Sequence, residues 1–221
     1  MTAGWTLEGE LATLTGTDGI ASALATLGIA EPDEQVVLDT VQDWYRSGAE
    51  TYSLRFSASN GSRLSEFVLK ACVAYGGQPL KDIFASWLSR RRLLDSLGVS
   101  TPRLYAAGAA VLVEEYVPLG LIDALTSGEY REAILRSIGR TVGTVVSAGF
   151  VPLSAHDWRS RGNDVVLIDF GQDLGPPGVG RGSEGGLLSE ILDNVDRAGV
   201  GLSPTELAIV SASYESSLSD Q

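Results

Sequence analysis

The chain has little of what metal and thiol chemistry uses. It contains one Cys, Cys72, and one His, His156. A single Cys excludes an intramolecular disulfide and any cysteine-cluster metal site. A single His excludes every metal site that needs two or more histidines from this chain, and leaves imidazole catalysis to that one residue. Basic residues are scarce too: 16 Lys and Arg stand against 28 Asp and Glu, a formal charge of −12. That balance argues against a non-specific nucleic-acid binder, whose phosphate contacts need a basic surface. It disfavours polyanionic partners and suits cationic ones. Long apolar runs are also missing, and a membrane helix needs ~20 such residues, so no membrane span is expected. The opening MTAGWTLEGELATL carries acids, not the basic and apolar regions of a targeting segment. With a lone Cys, the expectation is a protein of the cytoplasm.

What is present suffices for a core. Of 221 residues, 44% are hydrophobic and 20% charged, which allows one large domain or two small lobes. Leu11, Leu14, Ile20, Ala23, Leu24 and Leu27 have a partly helical spacing, interrupted by Gly16 and Gly19. Residues 33–47 are expected to form a helix with Val36, Val37, Val41, Trp44 and Tyr45 on one face. The stretch TYSLRFSA alternates as a strand does, and Ser59-Asn60-Gly61-Ser62 predicts a hairpin turn before a returning strand from Leu64 to Val73.

Residues 80–97 predict a helix that Gly98 stops. Residues 109–117 read as a strand, 121–126 and 129–148 as helices, and 164–171 as a short apolar strand after the turn formers Arg161-Gly162-Asn163-Asp164. A Gly/Pro-rich loop at 175–186 precedes helices at 187–198 and 204–218. The order is mixed α+β, not a regular βαβ alternation, and no G-x-G-x-x-G follows a strand.

Two charged residues stand out because they sit in or against apolar strands. Lys70 lies within Phe67-Val68-Leu69-Lys70-Ala71-Cys72. An ammonium there either points to solvent or needs an anionic partner. Asp169 follows Val165-Val166-Leu167-Ile168 and precedes Phe170-Gly171, so it is either a turn-capping residue or a ligand suited to a hard cation such as Mg²⁺.

Taken in order, FVLKA, WLSRRRLLDSLGVSTPRLYAAG, VLVEEYV and VVLIDFG resemble the protein-kinase-like superfamily, and most closely its aminoglycoside phosphotransferase and choline kinase branch. The resemblance spans roughly residues 50–175. It implies a two-lobed α+β fold: an N-terminal helical extension over 1–50, a small β-rich N-lobe over 51–117, and a reduced helical C-lobe over 118–221. It implies ATP and Mg²⁺ as cofactors. Lys70 would bind the nucleotide's phosphates, and Asp169 would hold Mg²⁺. The Ser57–Ser62 turn, with Ser59 and Gly61, would stand where the phosphate-covering loop lies. The backbone from Glu115 to Val117 would meet adenine. Asp157, with His156 beside it, is the candidate for orienting or deprotonating an acceptor hydroxyl.

The chain departs from that pattern at three places. The family's loop runs His-x-Asp-x-x-x-x-Asn. Here His156 and Asp157 are adjacent, and Asn163, the remaining metal-ligand candidate, stands one position too far on. Asp157 is then either the base of a trimmed loop or a second metal ligand. The helix that supplies a Glu to the lysine has none: Asp82 and Asp95 are the only acids between Glu66 and Glu114, and Asp82 is the better placed. Arg90-Arg91-Arg92 reads as a solvated helix face. Only 50 residues follow Gly171. A compact C-lobe shifts weight from a drug-like acceptor toward Ser or Thr of a precursor peptide, or toward a lyase-like partner that completes the site. General similarity of HDWRSRGNDVVLIDFG points the same way, to the compact members of thioamitide and class V lanthipeptide maturation. The alternative is a pseudokinase that binds a peptide or partner without transferring phosphate.

Overall fold

The computed structural model describes residues 7–31, 37–43, 51–60, 63–72, 80–108, 111–149, 151–152, 158–168, 174–175 and 186–219. The chain divides into two units. One comprises Met1–Ala85 with Arg103–Tyr116, the other Ser86–Pro102 with Val117–Gln221. The α+β class expected from the sequence holds, with a β-rich first unit and a mostly helical second one. Among the described residues no helix is long and apolar enough to cross a membrane.

The first unit is built on five antiparallel strands in the order β1-β2-β3-β5-β4. They are β1 (Val37–Asp43), β2 (Thr51–Asn60), β3 (Arg63–Cys72), β4 (Leu104–Ala107) and β5 (Val111–Glu115). The Asn-Gly signal is followed as expected: Asn60 pairs with Arg63 across a two-residue connection. Period-two alternation then sorts β3 into two faces. Phe67 and Leu69, with Val113 of β5, cluster with Leu11 of helix α1 (Leu7–Thr15), Ala23 and Leu24 of helix α2 (Ile20–Thr26), and Ile29 just after it. Burying this cluster contributes ~1.5–3 kcal/mol for each large side chain. Glu66, Val68 and Lys70 belong to the opposite face.

The helix expected over 33–47 is not formed: its middle is strand β1. The register against β2 shifts between Leu38 and Thr40. Such an irregularity adds a residue to the strand and erases the period-two signal, so the spacing of Val37 and Val41 mimics a helix. The rest of 33–47 lies outside the described residues.

The second unit is organised by α5 (Arg131–Ser147), whose Ile134, Leu135, Ile138, Val142 and Val145 are buried along one stripe. It packs on α7 (Pro204–Ser219) at two glycines. A Cβ on Gly139 would come within 2.2 Å of the Val210 carbonyl oxygen, and one on Gly143 within 2.7 Å of the Tyr214 carbonyl oxygen. Only a residue without a side chain permits that approach. The unit also holds α4 (Leu121–Ser127) and α6 (Gly186–Arg197).

Helix α3 (Leu80–Ser96) begins in the first unit and ends in the second, where Gly98 adopts φ 72° past its end, as a C-terminal stop requires. Its arginine run is not uniformly solvated. Arg91 is 5% exposed and donates to the Pro102 carbonyl, tying the helix end to the turn that follows.

Candidate functional site

Lys70 lies opposite Leu112 of β5, and Val68 lies opposite Glu114. The four residues therefore share one face, with Lys70 and Glu114 on the diagonal. The Lys70 Nζ is 2.6 Å from Glu114 Oε1, and the two side chains are 13% and 2% exposed. This pair brings in an acid that the sequence reading did not weigh: a strand glutamate stands against Lys70. Asp95 is half exposed and instead accepts from the Thr101 hydroxyl at 2.9 Å and pairs with Arg91. Asp82, the residue favoured from sequence, falls in the first turn of α3, and its side chain lies outside the described residues. The signal that could have found Glu114 is the rule already applied to Lys70. A charge in the apolar run Val111-Leu112-Val113 needs a partner, and period two places it on the face of Leu112.

The same face carries a second cluster. Arg55 of β2 pairs with Glu66 of β3, and its guanidinium sits 3.9 Å from the centroid of the Tyr116 ring. The Tyr116 N–H donates to the Glu66 carbonyl at 3.3 Å. Glu115 is also engaged: its N–H donates to the Arg103 carbonyl at 2.8 Å, and its carboxylate accepts from the Arg103 N–H at 2.9 Å. The segment expected to meet adenine thus has its first two N–H groups committed within the sheet. Val117, the third, is 5% exposed. Ser59 lies in the β2 ladder, opposite Leu64 on one side and Val37 on the other. Gly61 lies outside the described residues.

In the second unit, β8 (Trp158–Arg161) and β9 (Asp164–Leu167) form a hairpin, and β6 (Leu119–Gly120) adds a third strand beside β8. The sequence reading treated 158–161 as part of a catalytic loop, so β8 is new. Trp158 faces Leu167 at the open end of the hairpin, and Arg161 faces Asp164 at the closed end. Beyond the open end, two-residue strands β7 (Val151–Pro152) and β10 (Leu174–Gly175) pair, with Pro152 opposite Leu174. Pro152 and Trp158, which flank 153–157 in sequence, thus pair with Leu174 and Leu167 respectively. His156, Asp157 and Asp169 themselves lie outside the described residues.

Asn163 is the loop candidate that is among the described residues. It is exposed in the turn at the closed end, with Gly162 at φ 59° before it. Four strand residues at ~3.3 Å each separate it from the end where the chain runs on to Asp169. The structure does not bring Asn163 to that end. The residue after it has a clear structural role. The Asp164 carboxylate accepts from the hydroxyls of Ser100 and Ser137 and from Arg140. Burial raises its carboxyl, but those hydrogen bonds and the Arg140 charge outweigh burial and hold it below the ordinary value.

Beside the hairpin is a cavity of about 350 Å³ lined by Gly120, Leu121, Trp158, Arg159, Ile191 and Asn194. Trp158 is 4% exposed, and among the described residues neither its indole N–H nor the Asn194 side-chain amide nitrogen has a hydrogen-bond partner. Unpaired buried donors of this kind cost ~1–3 kcal/mol each. Among the described residues no group of three His, Cys, Asp or Glu could hold a metal ion.

No protein-family model matches the chain, and no curated protein matches it. Among solved structures it is similar to a protein of Thermobifida fusca YX-ER1 that is provisionally described as a fructosamine-3-kinase. The identity is 14% and the TM-score 0.43, over 97% of this chain and 85% of that one.

Proposed function

We propose that the chain is a kinase-like phosphotransferase that uses ATP and Mg²⁺. Its acceptor is a hydroxyl of a small molecule or of Ser or Thr in a precursor peptide. The observation that carries this reading is Lys70: an ammonium held on a β-sheet face by a buried carboxylate, one strand away from the segment that would meet the base. A cation so placed suits the α- and β-phosphates of a nucleotide. Val117 is the backbone position left for the base. Asp169 would hold the Mg²⁺, whose chemistry is to neutralise charge on the phosphates. Asp157 is the candidate for receiving the acceptor's proton.

A second reading has one observation in its favour. The turn position of Asn163 takes a metal-ligand candidate away, which suits a pseudokinase or a subunit that needs a lyase-like partner. Calorimetry with ATP, with and without Mg²⁺, followed by a transfer assay over amine, aminoglycoside and Ser/Thr-peptide acceptors, separates the two. Mg²⁺-dependent binding with transfer is expected. Binding without transfer to any acceptor supports the pseudokinase, and absence of nucleotide binding overturns both readings.

A further inference from the structure

The chain has 14 arginines but two lysines, Lys70 and Lys81. One of the two is set against a glutamate that is 2% exposed, at 2.6 Å. A carboxylate that far from water is retained only with a close counter-charge. We propose that Glu114 is the positioning residue of Lys70, supplying from a neighbouring strand the carboxylate that helix α3 does not bring as a Glu. The inference rests on the phosphotransferase reading above.

The placement has a consequence that a helix-borne partner would not have. A carboxylate on a separate helix leaves the lysine when the helix shifts. Glu114 cannot, because its position is set by ladder register, Val68 opposite Glu114 and Lys70 opposite Leu112. The pair is made before nucleotide arrives and persists through any movement of α3. A lysine side chain carries about 2 kcal/mol of rotamer entropy, and the pair removes much of that ordering cost from the binding step. Lys70 is preset rather than switched.

Two lysines make the test direct. Protein labelled with ¹³C-lysine gives two side-chain ε-carbon signals, and Lys70→Arg identifies the one from Lys70. That signal is followed in wild type, Glu114→Gln and Glu114→Asp, first alone and then during titration with ATP and Mg²⁺. Thermal melts check that each variant is folded. Glu114→Gln keeps the shape and a hydrogen-bond acceptor but removes the charge. It is expected to displace the Lys70 signal before nucleotide is added and to weaken nucleotide binding about fivefold. Glu114→Asp, which restores the charge, is expected to recover part of the affinity.

Unchanged affinity in folded Glu114→Gln overturns the inference. Tighter binding also overturns it, because Glu114 would then compete with phosphate rather than position its ligand. A wild-type Lys70 signal that does not move with ATP and Mg²⁺ overturns the phosphotransferase reading itself, and the role of Glu114 with it. That outcome is seen in wild type and so is distinct from the other two.

Discussion

Ser137 of α5 holds Asp164 of β9 twice over. Its hydroxyl donates to the Asp164 carboxylate at 2.7 Å and accepts the next backbone N–H, that of Val165, at 3.0 Å. The Ser100 hydroxyl and Arg140 complete the shell of the carboxylate. One side chain thereby fixes the hairpin β8–β9 to α5.

The acid limb of the stability curve reports on this contact. The Asp164 carboxyl is lowered from its ordinary value of 3.8 by its hydrogen bonds and by Arg140, in spite of burial. A lowered folded-state value means that the stabilisation is complete above 3.8 and is lost as pH falls through the folded value. Asp164→Asn is expected to cost about 1 kcal/mol at neutral pH, discounted for a partly exposed carboxylate, and to flatten the decline below about pH 4. Urea denaturation of wild type and variant from pH 3 to 7 measures both. An unchanged acid limb in the variant would contradict the assignment.

The start of α7 carries a capping box. The Glu206 N–H donates to the Ser203 hydroxyl at 3.3 Å, and the Glu206 carboxylate accepts the Ser203 N–H at 2.8 Å. Arg131 of α5 bonds the same side chain, and its hydrogen bond, followed by those of Ser203, holds the Glu206 carboxyl down to about 2 from 4.5. The sign is that of Asp164: support present above 4.5 and lost as pH falls toward 2. Ser203→Ala is expected to cost ~0.5–2 kcal/mol through the lost cap. Glu206→Gln should lower the melting temperature at pH 7 and leave it nearly equal to wild type at pH 2.

Gly139 and Gly143 set the distance between α5 and α7. By helix propensity alone, Ala at either position would stabilise the helix by ~1 kcal/mol. The carbonyl oxygens of Val210 and Tyr214 stand where the new methyl groups would go, so the opposite sign is expected. Gly139→Ala should destabilise by ~1–3 kcal/mol, as overpacking does, with Gly143→Ala in the same direction. Chemical denaturation decides it. A stabilised Gly139→Ala would show that α7 moves away at no cost.

Asp157 and Asp169 are expected to fail differently. Asp169→Ala should abolish the Mg²⁺-dependent part of nucleotide binding. Asp157→Ala should reduce turnover by a factor of ~10²–10⁴ with nucleotide affinity nearly unchanged, if it receives the acceptor's proton. A loss of Mg²⁺ affinity in Asp157→Ala would make it a ligand instead. Lys70→Ala should weaken nucleotide binding with or without the metal.

Much of the architecture is legible in local signals. Gly98 ends α3, the Asn-Gly signal at 60–61 marks the return from β2 to β3, Gly162-Asn163 turns the second hairpin, and the apolar stripe of α5 is periodic. Strand β1 is not legible, because its irregular pairing with β2 removes the alternation that marks a strand. Strand β8 is not legible either. Trp158-Arg159-Ser160-Arg161 is short and polar, and only its pairing with Asp164–Leu167 and with β6 makes it a strand.

The candidate site divides along the same line. The amino-acid sequence by itself determined which residues are chemically unusual: a lysine inside an apolar strand, an aspartate at the end of another, one His beside an acid. Those follow from composition and period, which are local. Only the tertiary structure brought Glu114 to Lys70. Glu114 is far from it in sequence and comes to it through strand pairing, which no local spacing encodes. The structure likewise decided that Asn163 belongs to a turn, because an antiparallel hairpin separates its closed end from its open end by the length of its strands.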